Sequence, residues 1–391
     1  MIFACKHLNL ASHVWMQRTL EHLATHTTAV ATDQASYDSW CLEKIDKACV
    51  SPVWHSPPPR SRRIVGRVTG SSNKVWSSEP ARRFKLILNK YPTTPVLIHF
   101  LDVAVELRNQ ILECENPVFV FVHGSDFAWS LVNENGTPLR NGEAYKRQCL
   151  ELAHKIYIIA NSTYTRDEIV RAGFPTERVF IKHFGMPITR VTRYRPDSEQ
   201  LKLLFLGRLV DFKGPEKLIE AFSIAVKNGL NGELLIAGDG PLMKECKQRI
   251  SKHALANRVH MLGEVTRNEA DILRQEADIF TAHNCTGSKS KRVETFGVSI
   301  LEAMASGIPV VTGRSGGIVD MITDQVNGFL FEPGNIDAHA EILIRLGENK
   351  ALRERIGAMA QKTVQENFSI EKETETLLSI VAAACKQDAH A

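Results

Sequence analysis

From about residue 117 onward, short runs of β-branched and aromatic residues alternate with longer amphipathic stretches, the pattern of parallel sheets covered by helices on both faces. In the second half these runs fall at Lys202 to Leu206, Glu233 to Ala237, Val259 to Leu262, Asp278 to Ala282, Pro309 to Thr312 and Gly328 to Phe331. Six strands with helices between them predict one complete doubly wound domain. The first half predicts strands at Val96 to Phe100, Pro117 to Val122 and Lys155 to Ala160, with Ile2 to Cys5 as a short opening strand. Asp33 to Pro59, ending in three prolines, reads as a long surface excursion. A chain of 391 residues is long enough for two cores. The boundaries expected are a first α/β domain over 1–190, a linker over 191–200 within the polar stretch Ile188 to Gln200, and a second domain over 201–368. The last piece, 369–391, is a helix from Ile370 that closes the second domain or crosses back to the first. Two open sheets facing each other bind ligands in the cleft between their strand C-termini.

Composition excludes several classes. No apolar run approaches the ~20 residues that span a bilayer, and the N-terminus lacks a basic region followed by an apolar one, so the expected location is the cytosol. The eight cysteines include no C-x-x-C pair, which argues against zinc or a redox site and for reduced structural thiols. The net charge is only +4, but from Arg60 to Lys90 nine cations meet Glu79 alone. That segment reads either as a solvated loop or as a surface for anionic headgroups or a pyrophosphate, including the inner face of a membrane. Nucleic acid is not an expected partner, because only two aromatic residues, Trp76 and Phe84, fall among these charges.

Two motifs carry chemistry. In LLFLGRLVDFKGPEKLIEAF a strand ends at Leu206 and a turn presents Arg208 and Lys213 before a helix that opens with Pro215. A forked guanidinium and a mobile ammonium suit a diphosphate and its departure as a leaving group. In VETFGVSILEAMASGIPVV, residues 293–311, Gly297 lets the backbone approach a ligand and the helix after it offers free amides to a phosphate. Glu294 precedes that helix and Glu302 lies eight residues on, more than a turn deeper at about 1.5 Å per residue. The pair can reach two parts of one elongated ligand, and carboxylates suit the vicinal diols of sugar and ribose rings.

GRLVDFKG, the GDGP after Glu233 to Ala237, and the E-x7-E stretch with its flanks resemble family 4 glycosyltransferases, densely over 201–368 and more loosely before. The resemblance implies the GT-B fold of two facing Rossmann-like domains, a nucleotide-diphosphate sugar donor bound in the interdomain cleft, and transfer with retention. By motif position Arg208 and Lys213 would bind the diphosphate, Glu294 the donor sugar and Glu302 the ribose. The amides of Phe296, Gly297 and Val298 would face the phosphate and sugar, and the base would lie near Gly263 to Val265. VFVFVHGSDF resembles the H-G-x-D turn of exopolysaccharide enzymes in the colanic-acid-like branch, placing His123 near the sugar; Asp126 is an acceptor contact or a cap. The Gly-Gly turn that many members carry after the first strand is missing, and Ser12 or His13 would approach a phosphate in its place. The insertion Asn284 to Arg292 reads as a lid or an acceptor contact.

No cofactor and no metal is expected, since fixed cations and helix amides in a water-poor cleft stabilise the oxocarbenium-like centre and the departing nucleoside diphosphate. The acceptor implied is a saccharide or a lipid-linked sugar. Two other readings stand beside transfer: a sugar-nucleotide epimerase of the same fold, which needs no acceptor, and an idle binding module.

Overall fold

The computed structural model describes residues 1–6, 8, 14–40, 42–54, 72–127, 142–187 and 200–388. The first sheet contains β1 (Ile2–Ala4), β2 (Ala29–Asp33), β3 (Val50–Trp54), β4 (Val96–His99), β5 (Val118–Val122), β6 (Ile156–Ala160) and β7 (Val179–Ile181). Their order is β3-β2-β1-β4-β5-β6-β7. The second contains β8 (Leu201–Leu206), β9 (Gly232–Ala237), β10 (Val259–Gly263), β11 (Ile279–Thr281), β12 (Val310–Gly313) and β13 (Phe329–Phe331), ordered β10-β9-β8-β11-β12-β13. The strand pairs in both sheets are parallel. The central strands β1, β4, β5 and β6 are buried at every residue, which is why they read as unbroken apolar runs. Each sheet reverses its winding once, between β1 and β4 and between β8 and β11, so a ligand crevice opens beyond the carboxyl ends of those strands.

The reading of Asp33 to Pro59 as an excursion is overturned. Asp33 caps the helix Gln34–Asp38, accepting from the Ser36 amide at 2.7 Å, and Val50–Trp54 pairs with β2. This strand escaped notice because it is an edge strand containing Pro52, which cannot donate to a ladder and so suits only an edge. The loop reading of the basic segment also fails from residue 72: Ser72–Lys90 is a helix, Glu79 holds Arg82 and Arg83, and Lys85 pairs with Glu113. The cations Arg60, Arg62, Arg63 and Arg67, and most of the expected linker, lie outside the described residues.

The final helix, Ile370–Asp388, crosses back. Leu377, Val381 and Ala384 are buried with Phe3, Leu20, Phe119 and Tyr157 of the first domain. At the crossing the Met186 amide donates to the Phe368 carbonyl at 2.8 Å, and the Ile370 amide to the Met186 carbonyl at 3.0 Å. Beside it Glu373 accepts from Lys182, from the Gly185 amide at 2.7 Å and from the Thr19 hydroxyl at 3.1 Å. The Lys182 and Glu373 side chains are each only 2% exposed, so this is an ion pair removed from water.

The second core holds two buried histidines, His283 and His339, whose Nδ1 atoms approach to 3.1 Å; His339 Nε2 meets the Thr281 hydroxyl at 2.7 Å. Burial lowers the pKa of His283 to about 3 and that of His339 well below the usual histidine value. An unfolded histidine titrates near 6.5, so below that pH the unfolded chain binds more protons than the folded one and stability falls as pH falls. Asp126 works in the opposite sense: burial raises its pKa to about 6, and protonation relieves that cost as pH falls. The two histidines predict a loss of stability from about pH 6.5 downward, opposed by the burial-raised carboxyls of Asp126, Asp102 and Glu216 and reinforced at lower pH by the hydrogen-bonded Asp211 and Asp320, whose pKa values are lowered. The guanidinium midpoint should decline across that window, and more gently in His283→Asn.

Candidate functional site

The turn after β8 carries the first half of the site. A 3-10 turn over Asp211–Lys213 ends at Gly214, whose positive φ of 55° leads into the helix Pro215–Lys227. A Cβ on Gly214 would lie 2.3 Å from the His283 carbonyl, so the turn presses against the end of β11 and only glycine fits. Lys213 Nζ reaches Glu294 Oε2 at 2.6 Å, with the side chains 19% and 12% exposed, while Arg208 stands exposed on the same turn. Between them Asp211 is buried and accepts from the Ser290 hydroxyl at 2.6 Å and from the Lys289 and Ser290 amides at 2.8 Å each. Burial alone would raise its pKa; the hydrogen bonds from Ser290, Lys289 and Phe212 outweigh that and lower it. Asn284 to Arg292 is therefore tied to the turn bearing Lys213, which removes the reading of that loop as a free lid.

The second half is the helix Val298–Ala305, whose N-cap Gly297 has φ 96°. Glu302 Oε2 takes Arg274 Nη1 at 3.1 Å, and its Oε1 lies 3.7 Å from Arg18 Nη2, a residue of the first-domain helix Val14–His22. The Phe296 ring is buried against Phe184 and Phe368 at 5.2 and 6.4 Å, so only its backbone is available to a ligand. Gly263 ends β10, where its carbonyl accepts from the Gly238 amide at 2.7 Å, and Val265 is half-buried just beyond.

The first domain meets this helix start at His123. Asp126 accepts from the amides of His123 at 2.9 Å, Gly124 at 3.0 Å and Leu101 at 3.0 Å. With both carboxylate oxygens engaged by backbone in a buried position, Asp126 caps the turn, which corrects its alternative reading as an acceptor contact. The cap aims His123: its Nε2 lies 3.3 Å from His99 Nδ1, and its ring packs on Trp15 and Phe100 at 4.4 and 4.6 Å. The Thr295 hydroxyl then donates to the His123 carbonyl at 3.2 Å, so the loop holding Glu294 touches the first-domain turn directly. Ser12 and His13 lie outside the described residues.

Several contributors had weak or no sequence signals. Thr295 is the residue between two that were singled out. Gly316–Gly317 packs behind it: the Gly317 amide donates to the Glu294 carbonyl at 3.0 Å, and a Cβ there would lie 1.9 Å from the Thr295 carbonyl. The doubled glycine in RSGGIVD was the available clue. Arg18 and Arg274 sit on ordinary amphipathic helices and offered none.

Residues 191–363 match the family described as Glycosyl transferases group 1. The chain carries a group 1 glycosyltransferase domain. It is 28% identical over 279 residues to the amylovoran biosynthesis glycosyltransferase AmsK of Erwinia amylovora, covering 70% of this chain and 66% of AmsK. It is 33% identical over 187 residues to an uncharacterized glycosyltransferase of Methanocaldococcus jannaschii, covering 47% and 46% of the two chains. The chain thus spans about half to two thirds of these curated relatives. Among solved structures, Anabaena HepE in complex with UDP superposes with a TM-score of 0.74 at 18% identity, covering 98% of this chain and 99% of HepE. Sucrose-phosphate synthase of Thermosynechococcus elongatus gives 0.72 at 15%, covering 98% of each. At these identities the likeness concerns the fold, which is GT-B in both lobes. Arg208, Lys213, Glu294 and Glu302 all lie inside the matched glycosyltransferase domain, whereas His123, Asp126 and Arg18 lie before it. Among the described residues no helix is long and apolar enough to cross a membrane.

Proposed function

We propose that this chain is a retaining glycosyltransferase that moves a hexose or related sugar from a nucleoside-diphosphate sugar to an acceptor hydroxyl, in surface polysaccharide or glycolipid assembly. The observation that carries the reading is the 2.6 Å contact between Lys213 and Glu294, which joins the cationic turn after β8 to the start of a helix with free amides. In this reading Arg208, Lys213 and those amides take the diphosphate and neutralise it as it leaves, serving in place of a resident metal. Glu294 holds donor hydroxyls, Glu302 the ribose, and His123 faces the sugar from the first domain. The acceptor oxygen attacks from the side the diphosphate leaves, which keeps the anomeric configuration. A sugar nucleotide is supported by HepE, which has been solved with UDP-glucose, and a polysaccharide acceptor by the amylovoran relative. A lipid-linked acceptor at the inner face of a membrane is supported by Leu86 and Leu112, exposed beside Arg82 and Lys85.

A thermal-shift panel of UDP, GDP, ADP and dTDP tests the donor. A diphosphate at 100 times its dissociation constant adds about 2.7 kcal/mol and should raise the melting temperature by several degrees for one base above the others. A flat response to all four removes the donor site and the reading with it.

A further inference from the structure

The contacts of Arg18 do not account for its burial. Its side chain is 14% exposed, yet the Glu302 carboxylate at 3.7 Å is beyond hydrogen-bond reach, and among the described residues Nη1 faces only the Met186 sulfur at 3.4 Å. Its Nε is buried with no hydrogen-bond partner among the described residues. Buried guanidinium donors are normally all engaged, because each one left unmade costs desolvation without return. The surrounding charge is lopsided as well: Arg18, Arg267 and Arg274 stand against Glu302 and Asp271, and Asp271 is already engaged by Arg274. Burial, aided by the like charges of Arg267 and Arg274, lowers the Arg18 pKa.

Position says what would complete this arrangement. Glu302 lies more than a turn below the helix start, whose amides and Lys213 together mark the far phosphate in the proposed donor pose. The near phosphate of a nucleoside diphosphate falls between a ribose on Glu302 and that far end. Arg18 approaches this interval from the opposite domain, on the helix that follows β1, where the expected glycine pair is missing.

We propose that Arg18 binds the near phosphate of the donor, reaching it across the cleft with its Nε and Nη donors and so coupling donor binding to the apposition of the two domains. The inference rests on the nucleotide-sugar reading above. It makes Arg18 a binding residue that reads anionic oxygen and leaves the base and ribose to the second domain.

Calorimetric titration of the full chain with UDP, GDP, ADP and dTDP, and with the matching nucleosides, tests it. For whichever base binds, Arg18→Ala should weaken the diphosphate about 10- to 100-fold, the worth of a hydrogen bond to a charged group, and leave the nucleoside within about twofold. Arg18→Lys, which keeps the charge without the fork, should fall between wild type and alanine. An unchanged diphosphate affinity in Arg18→Ala overturns this inference and leaves the donor reading standing. An equal loss for diphosphate and nucleoside also overturns it, since Arg18 would then act by shaping the ribose site. Wild-type protein that binds none of the four diphosphates sinks both readings.

Discussion

Lys213→Ala is expected to lower kcat/KM for sugar transfer by at least about 100- to 1,000-fold, the scale on which single preorganised electrostatic groups act in buried sites. The ammonium sits 2.6 Å from Glu294 in a pocket where both side chains are largely shielded, so its field on a diphosphate is little screened by water. Glu294→Ala should fall as far, because it removes the carboxylate that positions the donor sugar and leaves Lys213 to swing. The losses should not add in the double variant, since the two groups are in contact. Release of nucleoside diphosphate in the presence of acceptor measures all three. Near-normal turnover in either single variant removes that residue from the site.

Glu373→Ala is expected to cost about 3–5 kcal/mol of stability, the usual penalty for stranding one partner of a buried ion pair. Lys182 would be left 2% exposed and without its carboxylate, and the Gly185 amide would lose its acceptor, while the Thr19 hydroxyl keeps the Trp15 carbonyl at 3.0 Å. The damage falls where the final helix crosses between domains, so the first denaturant transition should shift, and the crossing helix should gain hydrogen exchange before either sheet does. Replacing Lys182 and Glu373 together by methionine should recover much of the loss, because apolar side chains of similar volume remove both charges from the interior. A Glu373→Ala midpoint within the error of wild type would show that water reaches the pair.

The second domain was legible almost strand by strand. Its six strands are short, apolar and separated by helical periodicity, and β8 through β13 fall within a residue or two of the runs read from the sequence. The first domain was less so. β3 was lost in a segment with prolines, while β2, a five-residue run between polar flanks, and the three-residue β7 were not read from the sequence. Asp126 could be named as a cap or a ligand but not assigned, because both roles ask for a short carboxylate at a turn. Only the three backbone amides around it separate them.

What the residues determined by themselves was local: strands whose two faces are apolar, a turn presenting Arg208 and Lys213, and a glycine-started helix with Glu294 before it and Glu302 within it. What the tertiary structure alone decided were the contacts between distant segments. Thr295 meets His123 across 172 positions of chain, Glu373 meets Lys182 across 191, and Arg18 comes within 3.7 Å of Glu302 from the other domain. The reason is physical. Periodicity records which side of an element is buried, over spans of a few residues, whereas the partner on that side depends on how two sheets and a crossing helix stack, and no local pattern encodes that.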